Sequence, residues 1–421
     1  MNRTLSGLLG FVGILLIGVG IVRSVEIVSK TGMVDFRNRV VAARQAELGY
    51  NPYFFKWDPS FPETLLDPSD DPHMKYTRLT SPPSTLWFQS LFAGLPYSTQ
   101  KVGNFVLNWF ALFAVAAWIG YSLRATVGPV VLVTGIYSLS ALWQFHVERG
   151  QQYSFFAFLL TFAMFPPRTA LTSLFQALSV FFRPTFGVAI FRSFREKNPI
   201  RTILIGAGVG AILLIPVLLK YPLSYWFDYF ASTHDWYNHR WGTGEMIPAK
   251  DGLTYPHSPE GDWTIPQLWN FGAPGSILHH FATKGGWIPS YTLGLVITGM
   301  LTAFSGWRLW SARAEGLAAF ALRFFSAVYL TDYFLPSPRS GYNAVLFFPA
   351  LVLAVIELSR GKIDRTKVAP IAAALGLVSS LEAIYLPYSS PMLVEFWYVV
   401  AAVLALSSKV KSVSQDTLVL P

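Results

Sequence analysis

Apolar residues in this chain come in blocks, not in alternation. Stretches poor in charge fall at about 5–22, 103–123, 128–145, 153–166, 169–194, 200–219, 287–306, 315–335, 343–359, 368–385 and 391–407. Most are apolar on every side, and many approach the roughly 18 to 22 residues a helix needs to cross bilayer hydrocarbon. Barrel strands would alternate apolar and polar positions instead. A membrane interior admits only helices and closed barrels. The pattern therefore predicts an all-α polytopic membrane protein.

One block breaks the rhythm. The stretch 169–194 is too short for two full spans and carries Arg183-Pro184 near its middle. Proline ends a helix at the preceding residue, so two short half-helices are expected to meet at Arg183-Pro184-Thr185. Irregular backbone at that depth is tolerated only where protein or a cavity surrounds it. With this block crossing twice, the chain makes about twelve crossings. The turns then assigned to the cytoplasm are Ser122 to Arg124, Pro166 to Arg168, Arg192 to Arg201, Trp307 to Arg313, Arg360 to Lys367 and Lys409 to Lys411. All are basic, as the positive-inside rule requires. Both termini are then cytoplasmic, and the first span is read as a retained helix because no small-x-small cleavage site follows it.

This reading gives one membrane domain over 1–421. Two long extracytoplasmic loops span 25–100 and 221–286, and a cytoplasmic tail covers 408–421. In the first loop Phe36, Val40, Val41 and Ala43 interleave with Arg37, Arg39 and Arg44. That spacing predicts an amphipathic helix lying in the membrane interface.

Composition supports this class. The chain is 52% hydrophobic and only 13% charged, against about a quarter charged in soluble domains. Its net charge of +9 is assigned to cytoplasmic anchoring and anionic headgroups, not to nucleic acid. It has no cysteine, which excludes disulfides, iron–sulfur clusters and thiolate zinc sites.

Polar side chains gather on the predicted outer face: Asp35 and Arg37 beyond span one, then His146, Glu148, Arg149, Gln151 and Gln152, Arg183 at the break, and Arg339, Tyr342 and Asn343. A carboxylate beside several guanidiniums fits sugar transfer from a lipid phosphate. Arginine offers a planar, permanently charged fork for phosphate oxygens. Phosphate leaves readily, while an acceptor hydroxyl needs a base. Cations near the departing phosphate stabilise its growing charge.

These residues also carry a resemblance. Asp35-Phe36-Arg37 after span one, followed by Asn51-Pro52-Tyr53, resembles the start of glycosyltransferase family 87. Those are polyprenol-phosphate-mannose-dependent mannosyltransferases of the GT-C superfamily. Tyr76 to Pro83 resembles that family's Pro-Pro stretch before a short helix, and Gly150-Gln151-Gln152 its Gly-Gln-x-Asn turn. Phe182-Arg183-Pro184-Thr185 resembles its Lys-Pro break, and Ser337 to Tyr342 its Ser-Pro turn. Two positions depart from the pattern: Gln152 alters the usual Asn spacing and Arg183 stands for Lys.

The resemblance implies a GT-C-type bundle in the cell membrane with its active site on the extracytoplasmic face. A polyprenyl-phosphate sugar donor would give a hexose, mannose by analogy, to a glycan or glycolipid acceptor by inverting displacement. Asp35 would be the base. Arg183, Gln151, Arg149, Arg339 and Tyr342 would hold the donor phosphate; Arg37, Tyr76, Arg78, His234, Trp236 and His239 would face the acceptor. No cofactor and no metal are expected. The same features are shared by a transporter or flippase of lipid-linked sugars and by a non-catalytic binder, although no internal repeat is visible. Asp67, Asp70 and Asp71 read as a solvated loop before a calcium site. The cluster His234, Asp235 and His239 reads likewise before a metal site. Asp35 itself has a plainer alternative, an ion pair with Arg37 or Arg39.

Overall fold

The computed structural model describes residues 2–67, 76–77, 79–168, 171–240, 247–248, 254–255, 291–335, 341–360, 368–382 and 390–408. They form a helical bundle. In chain order the helices are α1 (Arg3–Thr31), α2 (Val34–Glu47), α3 (Pro83–Ser90), α4 (Tyr97–Ser122), α5 (Val127–Leu139), α6 (Ala141–Arg149), α7 (Tyr153–Met164) and α8 (Thr172–Phe182). After a 3₁₀ segment (Pro184–Arg195) come α9 (Pro199–Lys220), α10 (Ser224–Arg240), α11 (Tyr291–Ser311) and α12 (Leu317–Tyr333). A second 3₁₀ segment (Gly341–Phe347) precedes α13 (Phe348–Ser359), α14 (Val368–Glu382) and α15 (Ser390–Ser407). Strand content among these residues is limited to two short pairs, 55–56 with 76–77 and 247–248 with 254–255.

Three helices, α1, α4 and α9, are long and apolar enough to span a membrane; α5 and α6, bent by 61°, make a fourth if counted as one. Exposure points the same way. Leu8, Phe11, Ile14 and Val22 of α1 and Ile200, Leu204, Ile212 and Leu219 of α9 are exposed. In water such faces would be large sticky patches; in lipid they cost nothing. Val217 is the single buried residue of α9.

α12 lies at the opposite extreme. Nearly every side chain from Phe320 to Tyr333 is buried, and the helix carries only two charges, Arg323 and Asp332. Nine residues of helix put them roughly 14 Å apart, well within the hydrocarbon thickness of about 30 Å. Neither charge could remain there unpaired. Arg323 meets Glu315 through two bonds of 2.8 and 3.0 Å and also donates to Ala405 O at 2.6 Å. Asp332 meets Arg183.

Small residues bring α1 and α5 together. Ser6 lies against Gly128 and Gly20 against Ser138, so the two helices run parallel. A Cβ on Gly13 would lie 2.6 Å from the carbonyl of Val131, and one on Gly135 only 2.5 Å from the carbonyl oxygen of Gly13. Such close backbone approach replaces the hydrophobic drive that lipid removes.

The predicted break is present. Arg183 is extended between α8 and the 3₁₀ segment. These halves fold back on each other: Gln176 Nε2 donates to Ala189 O (2.9 Å) and Ser193 Oγ (3.0 Å). The second half is a kinked 3₁₀ run, not an α-helix.

Cross-chain bonds sort helix ends into two groups. At the end with the basic turns, Arg360 donates to Leu123 O (2.8 Å), Arg192 to Met164 O (2.9 Å), Arg195 to Glu315 O (2.6 Å) and Arg308 to Leu406 O (2.6 Å). At the other end lie Gly32, Gly150, Tyr153, Arg183 and Asp332.

Two expectations need correction. Span one is not confined to 5–22, because α1 continues to Thr31 and ends in a left-handed Gly32. The helix over Phe36 to Arg44 forms as α2 but does not lie free in an interface. Only Glu47 of its residues is exposed, and even Asn38 and Gln45 are buried. Its polar face is covered by protein: Gln45 Nε2 donates to Leu65 O (3.0 Å) and Arg44 to Ala93 O and Leu95 O (3.3 and 3.2 Å).

Candidate functional site at one end of the bundle

Asp35 sits in the first turn of α2, where the exposed amides and the helix dipole favour a carboxylate. The approach to it is unusual. Gly32 and Met33 are successive left-handed residues, with φ of 75° and 56°. For a buried Met this costs about 1–3 kcal/mol of backbone strain. The turn that results swings the chain from α1 into α2 and places Asp35 beside the start of α7.

Two donors grip its carboxylate. Arg149 Nη2 is 2.5 Å from Oδ1, and Gln151 Nε2 donates to Oδ2. Gln151 is itself held, with Arg39 Nη1 donating to its Oε1 at 3.2 Å. Between these two residues, Gly150 adopts φ 65° as the left-handed cap of α6. Its carbonyl accepts from Arg39 Nη2 (2.7 Å) and Asn104 Nδ2 (3.2 Å). A Cβ there would lie 2.6 Å from Phe36 and 2.7 Å from Met33. Glycine is thus required both for the turn and for the close approach of α2. The Asp35 side chain remains 20% exposed. A carboxylate has about four lone-pair sites, so room remains for a further hydroxyl donor.

The ion pair of Asp35 is therefore with Arg149, not with Arg37 or Arg39. Arg37 Nε lies 3.4 Å from the buried carboxylate of Asp67, which gives that loop acid a structural partner.

A second cluster stands on Tyr153, the first residue of α7. Arg183 Nη1 donates to Tyr153 Oη (2.8 Å), its Nε and Nη2 meet Asp332 Oδ1 (3.0 and 2.8 Å), and its carbon lies 4.9 Å from the Tyr153 ring centre. Those bonds use three of the five guanidinium N–H groups. Tyr229 of α10 lies within electrostatic range of Arg183, and its ring is 6.3 Å from that of Tyr53. Asn51 Nδ2 donates to Asp228 Oδ2 (2.9 Å), which ties the Asn51-Pro52-Tyr53 turn to α10. Burial first, then neighbouring tyrosines and Asp228, push the Tyr53 phenol well above its usual range. It stays neutral and donates to Ser81 O (3.0 Å). α3 closes the rim, because Thr85 Oγ1 donates to Phe182 O at 2.7 Å and Ser84 Oγ to Phe181 O.

Asp35, Arg149, Gln151 and Arg183 thus collect at one end of the bundle, in two clusters joined by Gln151 and Tyr153 on either side of the α7 start. His234 sits further out, exposed, with its ring edge-on to Tyr291 at 4.9 Å. Arg78 and Arg339 lie outside the described residues, as do Asp70 and Asp71. Tyr76, Trp236, His239 and Tyr342 are described in their backbone only. His146 turns inward, 2.9 Å from Asn108 Oδ1 and 3.3 Å from Ser154 Oγ, and does not approach the Asp35 carboxylate. Among the described residues no group of three acids or histidines is arranged to hold a metal.

The most consequential residue that sequence reasoning passed over is Asp332. Its signal was available: a single acid in an apolar run needs a cation, and Arg183 at a helix break needs an anion. Asn104 and Tyr97, which fasten Gly150 and the Gly32-Met33 turn, had no comparable signal.

No family model, curated protein or solved structure matches this chain.

Proposed function

We propose that this protein is an integral membrane glycosyltransferase of the GT-C type. It takes a hexose, mannose by resemblance to family 87, from a polyprenyl-phosphate donor and passes it to an extracytoplasmic glycan or glycolipid. In this reading the bundle makes about twelve crossings, with both termini in the cytoplasm and the Asp35 end outside. The observation that carries it is the setting of Asp35: partly exposed, oriented by Arg149 and Gln151, and at the end of the bundle that also holds a guanidinium at a helix break.

The chemistry follows from that setting. Arg149 and Gln151 fix the carboxylate so that its remaining lone pairs face the accessible side. Asp35 takes the acceptor proton as the hydroxyl attacks the anomeric carbon, while the bond to phosphate breaks on the opposite face. Arg183 supports the leaving phosphate with the N–H groups that Tyr153 and Asp332 do not use. A general base of this kind contributes about a hundred- to ten-thousand-fold. Asp35→Asn is expected to lower transfer from a polyprenyl-phosphate sugar by that range while donor binding persists. Full turnover in the Asn variant would refute the assignment.

The Arg183–Asp332 pair beside a broken helix also favours a second reading, a flippase of lipid-linked sugars, since transporters use such breaks. Sugar counterflow in vesicles without any transfer product would support that reading instead.

A further inference from the structure

The opposite end of the bundle holds a cavity unrelated to Asp35. It is a half-open groove of about 770 Å³ between α1, α4 and α5, within the size range of small-ligand sites. Its walls are apolar: Ile17 from α1, Phe113 and Ala117 from α4, Val130 and Val131 from α5. Ser122 and Arg124 line it where α4 gives way to α5.

This end of the groove is cationic. Arg124 is exposed and adopts a left-handed backbone, φ 49°, which a non-glycine residue rarely takes. Arg360, another exposed guanidinium, donates to the carbonyl of Leu123, next to Arg124. Arg3 lies one turn before Ser6, whose hydroxyl accepts from the Gly128 amide at the start of α5. Glu357, paired with Arg360 at 2.9 Å, is the acid found beside them among the described residues. Its charge leaves the rim net positive.

An apolar slot that opens among lipid-facing helices and ends in guanidiniums matches one kind of molecule: an alkyl chain joined to a phosphate. We propose that this cavity binds an anionic glycerophospholipid of the surrounding leaflet, with one acyl chain between α1, α4 and α5 and its phosphate at Arg124. The site requires only that these helices meet lipid, and it stands whether or not Asp35 transfers sugar. Its occupant would brace α4 against the α1–α5 pair at the point where the three helices part.

The test uses the full-length protein, delipidated in detergent and titrated with phosphatidylglycerol or phosphatidylcholine under native mass spectrometry. One phosphatidylglycerol per chain is expected to persist, in preference to phosphatidylcholine. Arg124→Gln should reduce that preference about fivefold, the effect of one basic residue near an anionic headgroup. Ala117→Phe, which fills the slot and leaves the charge, should expel both lipids. Arg124→Gln is a surface change that keeps the test valid if Ala117→Phe does not fold. Equal retention of the two lipids by wild type, or a preference unchanged in Arg124→Gln, would overturn the proposal. A polyprenyl phosphate that displaces phosphatidylglycerol stoichiometrically would assign the cavity to an isoprenoid chain and overturn the phospholipid assignment.

Discussion

Gly150 shows how tightly single residues set this site. It is needed for its left-handed backbone and for its lack of a side chain, since Met33 and Phe36 press against it. Alanine there should cost about 1–2 kcal/mol in backbone strain alone, with a further cost as α2 is pushed away. Gly49 is a natural control: its φ is 83° but nothing lies near its absent Cβ. Gly150→Ala should lower the melting temperature in detergent more than Gly49→Ala and should also reduce the proposed sugar transfer. Equal losses would show that contact with α2 is unimportant. Asp332 offers a second test. Removing one partner of a buried pair strands the other charge, at about 3–5 kcal/mol. Asp332→Ala and Arg183→Ala are each expected to be strongly destabilising, and the double variant clearly less so than their sum. Additive losses would mean that the pair does not act as a unit. Tyr53 carries a pH signature. Its folded phenol titrates well above the ordinary value of 10.0, so the neutral form is favoured in the fold. Stability from this group is full below pH about 10 and is lost as pH rises above that, because only the unfolded chain readily gives up the proton. Thermal melts from pH 8 to 11 should show this loss in wild type and a shallower one in Tyr53→Phe.

At the scale of elements, the α1–α5 seam and the broken helix carry the architecture. Gly135 and Gly13 allow backbone contact that any larger residue would prevent. Overpacking typically costs about 1–3 kcal/mol, so Gly135→Val should destabilise the bundle. Gly18→Val, on the same pair of helices but with no neighbour within 4 Å, should not. Melting of the two variants in one detergent decides the point. The apolar blocks and the break at Arg183-Pro184 were legible in the sequence, because span length and proline chemistry act locally. The burial of α2 was not. Its alternation of apolar and basic residues shows that one face is apolar. It cannot show that Leu65, Ala93 and Leu95 carbonyls cover the other. The 3₁₀ form of the second half-helix was equally invisible, since it arises from its packing against Gln176.

On the scale of the whole molecule, the candidate site was legible as a set and illegible as a geometry. Positive-inside counting put Asp35, Arg149, Gln151 and Arg183 on one face, and they do collect at one end of the bundle. Which residue pairs with which depends on contacts across more than a hundred positions, such as Arg149 with Asp35 and Arg183 with Asp332. No local pattern encodes those. The buried Glu315–Arg323 pair is local by contrast, eight positions apart, and only its contact with Ala405 of the last helix is distant in sequence. Apolar exposure concentrates on α1 and α9, which makes these the helices most dependent on lipid.

The parallel pairing of α1 with α5 has a consequence for how the protein is made. Ser6 reaches Gly128 across 122 positions, so α1 enters the bilayer long before its partner exists. Its exposed apolar surface allows it to wait there alone. Asp35 follows at once, yet Arg149 and Gln151 emerge more than a hundred residues later. The carboxylate therefore reaches the membrane well before the residues that orient it. A chain halted before α6 would carry the acid without the site.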